Sequence, residues 1–175
     1  MNWDAIGAIG ELLGSIILIA SIFYLSLQIR SGTDQATASS ERGVQQDFMV
    51  IQDSLLANEY TMRTMRKGYG SFNNLNDQEK YFFHMKLGLF VNHFEGVLRM
   101  AAKGLVSDDM VRTQGNIVLT LVGSPGGREF WGIAGTTFQE RSTAYINDNL
   151  GSGADWGSMG ELFPYFFETE EVGLG

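Results

Sequence analysis

The chain has 175 residues, no cysteine, 12 Lys and Arg against 20 Asp and Glu, and a formal net charge of −8. The lack of cysteine excludes a disulfide framework, a thiolate metal site and a Cys nucleophile, and the acidity argues against nucleic acid as a partner, because phosphate binding needs clustered Lys and Arg. The length suits one compact domain with appendages, and a mean hydropathy near zero conceals an apolar N-terminus joined to a polar remainder.

The first element is AIGAIGELLGSIILIASIFYLSLQIR, Ala5 to Arg30. Its 18 residues from Leu12 to Ile29 carry no formal charge, the length at which an apolar run becomes a transmembrane candidate. Counted from Ile6 the run has 24 residues, about 36 Å of helix at about 1.5 Å per residue. That crosses a hydrocarbon core of about 30 Å with some tilt. A cleaved signal peptide would have a basic start, a shorter apolar core and a small-residue cleavage site. Here Asp4 precedes the run and Arg30 closes it. The pattern predicts a retained single-pass anchor over residues 1–30, ahead of a cleaved signal or a buried core helix. Arg30 and Arg42 follow the run and no Lys or Arg precedes it, so the positive-inside rule puts the N-terminus outside and the rest in the cytoplasm. Trp3 and Tyr24 stand where interfacial aromatics sit.

Within that run, Gly7, Glu11, Gly14, Leu18, Ser21, Leu25 and Gln28 recur at alternating steps of four and three, so they share one helix face. Gly10 borders the stripe and forms a small-xxx-small pair with Gly14. Membrane helices gain little by hiding apolar surface from lipid, so they associate through small residues that let backbones approach. Three readings of Glu11 follow. It snorkels to the headgroups, it hydrogen-bonds across a helix–helix interface, or it rings the mouth of a pore with Ser21 and Gln28 deeper.

Ser31 to Ser40 is small and polar, and residues 31–43 read as a juxtamembrane linker or a continuation of the helix. Residues 44–150 read as a helical bundle. Val44, Phe48, Ile51 and Leu55 have helical spacing, and a short helix over Glu59–Lys67 is expected to stop at Gly68 and Gly70. Asn76-Asp77-Gln78-Glu79 has the form of a capping box opening the clearest helix. Its apolar stripe is Phe83, Leu87, Phe90, Phe94, Val97 and Ala101, thickened by Tyr81, Phe82, Met85 and Val91, and it ends at Gly104. His84, Lys86, Asn92, His93, Glu95 and Arg99 interrupt it too often for a second span, so it reads as the central helix of a bundle. A further helix opens at Ser107-Asp108-Asp109 and runs to about Val122. Its NIVLTLV stretch is β-branched, but the acidic start favours a helix. Ser124 and Pro125 have the form of a cap and first helical residue, and a last helix is expected over Phe138–Leu150.

Little of this carries chemistry. His84 and His93 fall on roughly opposite faces of one helix and cannot share an ion, so no metal is expected. Glu95 reads as a partner for Arg99 four residues on or for Arg128. SPGGR could hold an anion at a helix start, though close packing is the better account of Gly126 and Gly127. No Asp/Glu/His constellation suggests catalysis, and no cofactor is expected. Residues 151–175 read as a flexible aromatic and acidic tail. Its Phe163, Tyr165, Phe166 and Phe167 either tuck onto the bundle or dock on a partner or the membrane surface.

The opening WDAIGAIGELLGSIILIASIFYLSLQIR, with NHFEGV and SPGGREFW, resembles a widespread bacterial family of uncharacterised single-pass membrane proteins. Members begin with a similar W-x-A-I-G-A-I-G-E…Y-L-x-x-Q-I-R anchor followed by a small helical domain. The likeness spans roughly residues 1–150. Where members carry Asn-Thr after the anchor, this chain has Gly32-Thr33. The resemblance implies an all-α fold, one N-terminal transmembrane helix and then a small cytoplasmic bundle in the bacterial inner membrane, and it supplies no catalytic residues. The expected function is a scaffold or accessory subunit whose partners are the lipid bilayer and other membrane protein chains or copies of itself. A homo-oligomeric ion channel with Glu11 at the pore mouth is the alternative.

Overall fold

The computed structural model describes residues 3–151 and 159–162, with side chains from Gly10 onward; the described residues are mostly helical and include no strand. Helix α1 spans Trp3–Leu56 and runs through 31–43 without interruption. The chain divides into two compact units, Met1–Ser39 and Ser40–Gly175. The described residues of the first all belong to α1.

The second unit begins with the last turns of α1, where Val44 is buried and Phe48, Ile51 and Leu55 pack against the core at the spacing the sequence shows. Helix α2 (Glu59–Gly70) is capped by Asn58, whose side-chain oxygen accepts the N–H of Thr61 at 2.9 Å. It runs past Gly68 and ends at Gly70, the second of the two expected stops. A side chain at Gly68 would strike the ring of Phe83, so the glycine serves the contact with the next helix rather than the end of its own.

Helix α3 (Asp77–Ala101) opens with the expected capping box: Glu79 N–H donates to Asn76 Oδ1 and Asn76 N–H to Glu79 Oε2, both at 2.9 Å. The same carboxylate takes Lys67 Nζ at 2.8 Å, tying the end of α2 to the start of α3. The helix closes in a Schellman turn, with Leu105 N–H on Met100 O and Gly104 N–H on Ala101 O. Gly104 has φ +68, a conformation glycine adopts without the steric cost of a Cβ.

Helix α3 is central, packed against α2 and against α4 (Asp108–Gly123) and α6 (Glu140–Gly151). Phe83, Leu87, Phe90, Val91, Phe94 and Val97 are buried in it, whereas Ala101 is only partly covered. Tyr81 and Met85 correct the expected stripe: both are largely exposed. Two residues on a helix are about 200° of turn, so positions 81 and 85 lie opposite buried 83 and 87.

Ser107 caps α4 by accepting Met110 N–H, and the NIVLTLV segment is helical, with Val118, Leu119 and Val122 in the core. Helix α5 (Pro125–Ala134) has Ser124 as N-cap and Pro125 in its first turn, as the sequence predicts. A 3-10 turn, Gly135–Thr137, leads to α6, which starts two residues later than expected. A single turn, α7 (Met159–Leu162), was not expected; it packs on α4 and buries Met159.

Candidate functional site

Helical geometry alone gathers the predicted face of the apolar run: Gly7, Glu11, Gly14, Leu18, Ser21, Leu25 and Gln28 all lie within α1. From Gly10 to Leu56 that helix is long and apolar enough to cross a membrane, a test that a signal sequence also passes. Every large apolar side chain from Leu12 to Ile29 is more than half exposed. A Cβ placed on Gly10 or Gly14 would meet nothing within 4 Å, so no described residue explains either glycine.

The polar groups of the run are largely served by the helix itself. Ser15 donates to Glu11 O at 2.8 Å, Ser21 to Ile17 O at 2.8 Å and Ser26 to Ile22 O at 2.9 Å. Gln28 Nε2 donates to the Tyr24 hydroxyl at 3.3 Å. Hydroxyls bonded four residues back are how a helix carries serine through a medium that offers no hydrogen bonds. Glu11 is exposed and is the one acidic side chain of the face. The docking residues Phe163, Tyr165, Phe166 and Phe167, with most of the tail, lie outside the described residues.

Within the bundle, the polar residues singled out from sequence have structural posts. Glu95 pairs with neither Arg99 nor Arg128. It is buried, and its Oε1 accepts Gln139 N–H at 2.7 Å and Ser142 Oγ–H at 2.8 Å, setting a negative charge at the start of α6. Arg128 Nε donates to Gly123 O at 3.0 Å. The start of α5 does not offer itself to an anion: Gly127 N–H is taken by Ser124 Oγ at 3.0 Å, and Gly126 is pressed on the backbone of Gly68 and Phe72. Close packing accounts for both glycines.

His84 packs edge-on to Phe130 at 5.0 Å, and His93 lies against Phe48 at 5.9 Å. Burial pushes the His93 imidazole below its ordinary range, opposed by the Asp47 charge and by Gln114. Among the described residues no three His, Asp or Glu gather as a metal site would require. Glu41 accepts the hydroxyl and the N–H of Ser107 at 2.6 and 2.9 Å, which lowers its pKa.

An open groove of about 690 Å³ lies between the end of α1 and helix α2, floored by Leu55, Leu56, Met62 and Met65. Arg63, Arg66 and Lys67 line it too, as does Glu59. The signal was available: three of the chain's 12 cations fall within five residues of an acidic protein.

No family model, curated protein or solved structure matches this chain.

Proposed function

We propose that this is a non-enzymatic, membrane-anchored scaffold or accessory subunit of a membrane protein assembly in the bacterial inner membrane. Residues Leu12–Ile29 span the bilayer, with the N-terminus outside and the bundle in the cytoplasm. The contacts are made by the Gly7, Gly10, Glu11, Gly14, Ser21, Gln28 face and by the C-terminal tail.

One observation carries the reading: large apolar side chains from Leu12 to Ile29 that no described residue covers, beside open space at Gly10 and Gly14. Monomeric soluble proteins rarely expose contiguous apolar patches beyond a few hundred Å². Lipid satisfies such a surface, and paired glycines suit a second helix at close range. Packing is favoured over conduction because Leu18 and Leu25 share the face and Ser21 directs its proton back into its own helix.

The test is the native mass of the detergent-extracted protein with its co-purifying chains, for wild type and for Gly10→Leu/Gly14→Leu. Leucine is well accepted in lipid, so the variant still inserts but loses its neighbours. Unchanged assembly would remove the glycines from the interface. A reporter active only in the cytoplasm, fused after Gly175, should work; activity of a periplasm-dependent reporter there would reverse the orientation.

A further inference from the structure

An acidic chain can pair every cation it has, and this one pairs most of them. Of its 12 Lys and Arg, Lys67 and Arg112 bridge to carboxylates, while Lys86, Arg128 and Arg141 donate to backbone carbonyls. Lys80 lies over the ring of Phe72, Arg63 sits in the field of Glu79, and Arg66 is engaged as well. Four side chains remain with no hydrogen bond, ion pair or ring contact among the described residues: Arg30, Arg42, Arg99 and Lys103.

Arg99 and Lys103 stand one turn apart on the exposed side of α3, where they line an open groove of about 260 Å³ with Gly96, Met100 and Leu105. No carboxylate lines it. Two residues past Leu105, Ser107 gives its N–H and hydroxyl to Glu41 at 2.9 and 2.6 Å, so the groove lies by the stretch of α1 that carries Arg42. Helix α3 runs antiparallel to that stretch, because Phe48 meets His93 at 5.9 Å while Ser54 O takes Lys86 Nζ at 3.3 Å. Its basic C-terminal end therefore lies toward Glu41 rather than Leu55. The acids here are occupied: Glu41 by Ser107 and Asp109 by Arg112, while Asp108 faces the positive end of the α4 dipole.

Arg30 closes the apolar run, and Glu41 follows it by eleven residues of unbroken helix, about 17 Å at about 1.5 Å each. A headgroup layer occupies about 5–8 Å outside the hydrocarbon, and the long stems of arginine and lysine reach toward it. We propose that Arg42, Arg99 and Lys103 bind the phosphates of anionic phospholipid at the bilayer surface where α1 emerges, with one headgroup phosphate seated between Arg99 and Lys103. The guanidinium offers a planar fork for two phosphate oxygens, Lys103 adds a point charge, and Met100 and Leu105 give apolar ground for the glycerol end. Each Lys or Arg close to an anionic surface strengthens association about fivefold. The chain as a whole, at −8, is repelled by the same surface, which leaves the basic end as the one that faces it.

Because this rests on α1 spanning a bilayer, the test reads the two separately. The native protein has no cysteine, so one introduced thiol carries one fluorophore. Three full-length variants are used: Ala102→Cys beside the groove, Tyr81→Cys at the far end of α3, and Ile22→Cys within the apolar run. Each is placed in nanodiscs of phosphatidylcholine alone or with about one third phosphatidylglycerol. Lipids brominated in the acyl chain should quench Ile22→Cys in both discs. Lipid spin-labelled at the headgroup should quench Ala102→Cys several-fold more in the anionic discs than in the neutral ones, with Tyr81→Cys unchanged. Arg99→Glu/Lys103→Glu should remove that increase, as should about 1 M salt, whereas Arg99→Lys/Lys103→Arg should keep it. Circular dichroism confirms that each variant retains its helices. Quenching at Ala102→Cys that ignores lipid charge, or an increase that survives charge reversal, would overturn the proposal and leave the span standing. An unquenched Ile22→Cys would overturn both.

Discussion

Gly126 sets how closely α5 lies on α2, and replacing it with alanine puts a number on that contact. The added Cβ would meet Gly68 O and, at 2.7 Å, Phe72 N. Both are backbone atoms inside or beside a helix, so no rotamer change relieves the clash. Overpacking costs roughly 1–3 kcal/mol where neighbours can shift, and here they shift only by moving a helix. Against this, alanine restricts the unfolded chain and returns about 0.4–1 kcal/mol. The expected net loss is about 2 kcal/mol. Gly132 supplies the control: same helix, exposed, with nothing within 4 Å of a Cβ. There the same substitution should gain about 0.5–1 kcal/mol. A kilocalorie moves Tm by roughly 2–8 °C in domains of this scale. Gly126→Ala should melt about 5–15 °C below wild type, and Gly132→Ala a few degrees above. Far-UV circular dichroism follows the melt of the full-length protein in detergent. Near-UV signals from Trp131, stacked on Phe138 at 5.6 Å, report the bundle itself. Two variants melting together, or Gly126→Ala melting above wild type, would refute the packing argument.

Glu95→Gln should destabilise the bundle by about 1–3 kcal/mol, because the amide removes the charge at the start of α6 and buries a donor in its place; denaturation monitored at Trp131 would show it. Acid should loosen the bundle in two stages, followed by the same signal. Glu41, Glu79 and His93 all have folded pKa values below their ordinary ones, so each contributes fully above the unfolded value and loses that contribution as pH falls through the folded value. His93 acts first, below its ordinary 6.5, and the two glutamates follow below 4.5, so His93→Gln should flatten only the upper stage. Glu11→Gln should leave assembly intact and produce no ion flux in reconstituted vesicles, since glutamine keeps the size and hydrogen-bonding capacity of the acid; charge-dependent cation flux in the wild type would favour the pore.

The parts of the fold legible in sequence were those written within a few residues. The Asn76–Glu79 box, the Ser107 and Ser124 caps and the Gly104 turn each join positions no more than five apart, so residue type and spacing reveal them. What escaped was written across the chain. Glu95 had an arginine four residues away, yet it serves Gln139 and Ser142 on another helix. Gly68 has the residue type of a helix stop, but Phe83 and Gly126 decide its role. Tyr81 and Met85 were misjudged for a different reason. Apolar type alone made the stripe of α3 too wide, and only packing shows which flank is covered.

The candidate contact face is harder to read because no described residue packs on it, and the glycines show why. Gly68, Gly126 and Gly127 each abut a neighbour that a Cβ would strike, so the fold explains the missing side chain. Open space alone does not mark an interface, since Gly32, Gly43 and Gly132 also have nothing within 4 Å. Those three, however, do not sit in a fully exposed apolar run. A helical glycine costs about 1 kcal/mol relative to alanine in water, and at Gly10 and Gly14 no described residue offsets that cost. Placed four residues apart beside the single acid of an otherwise uncharged surface, they make sense if a second backbone comes close. That makes the pair, rather than Glu11, the decisive place to perturb: a pore needs the charge, and a packed interface needs the space.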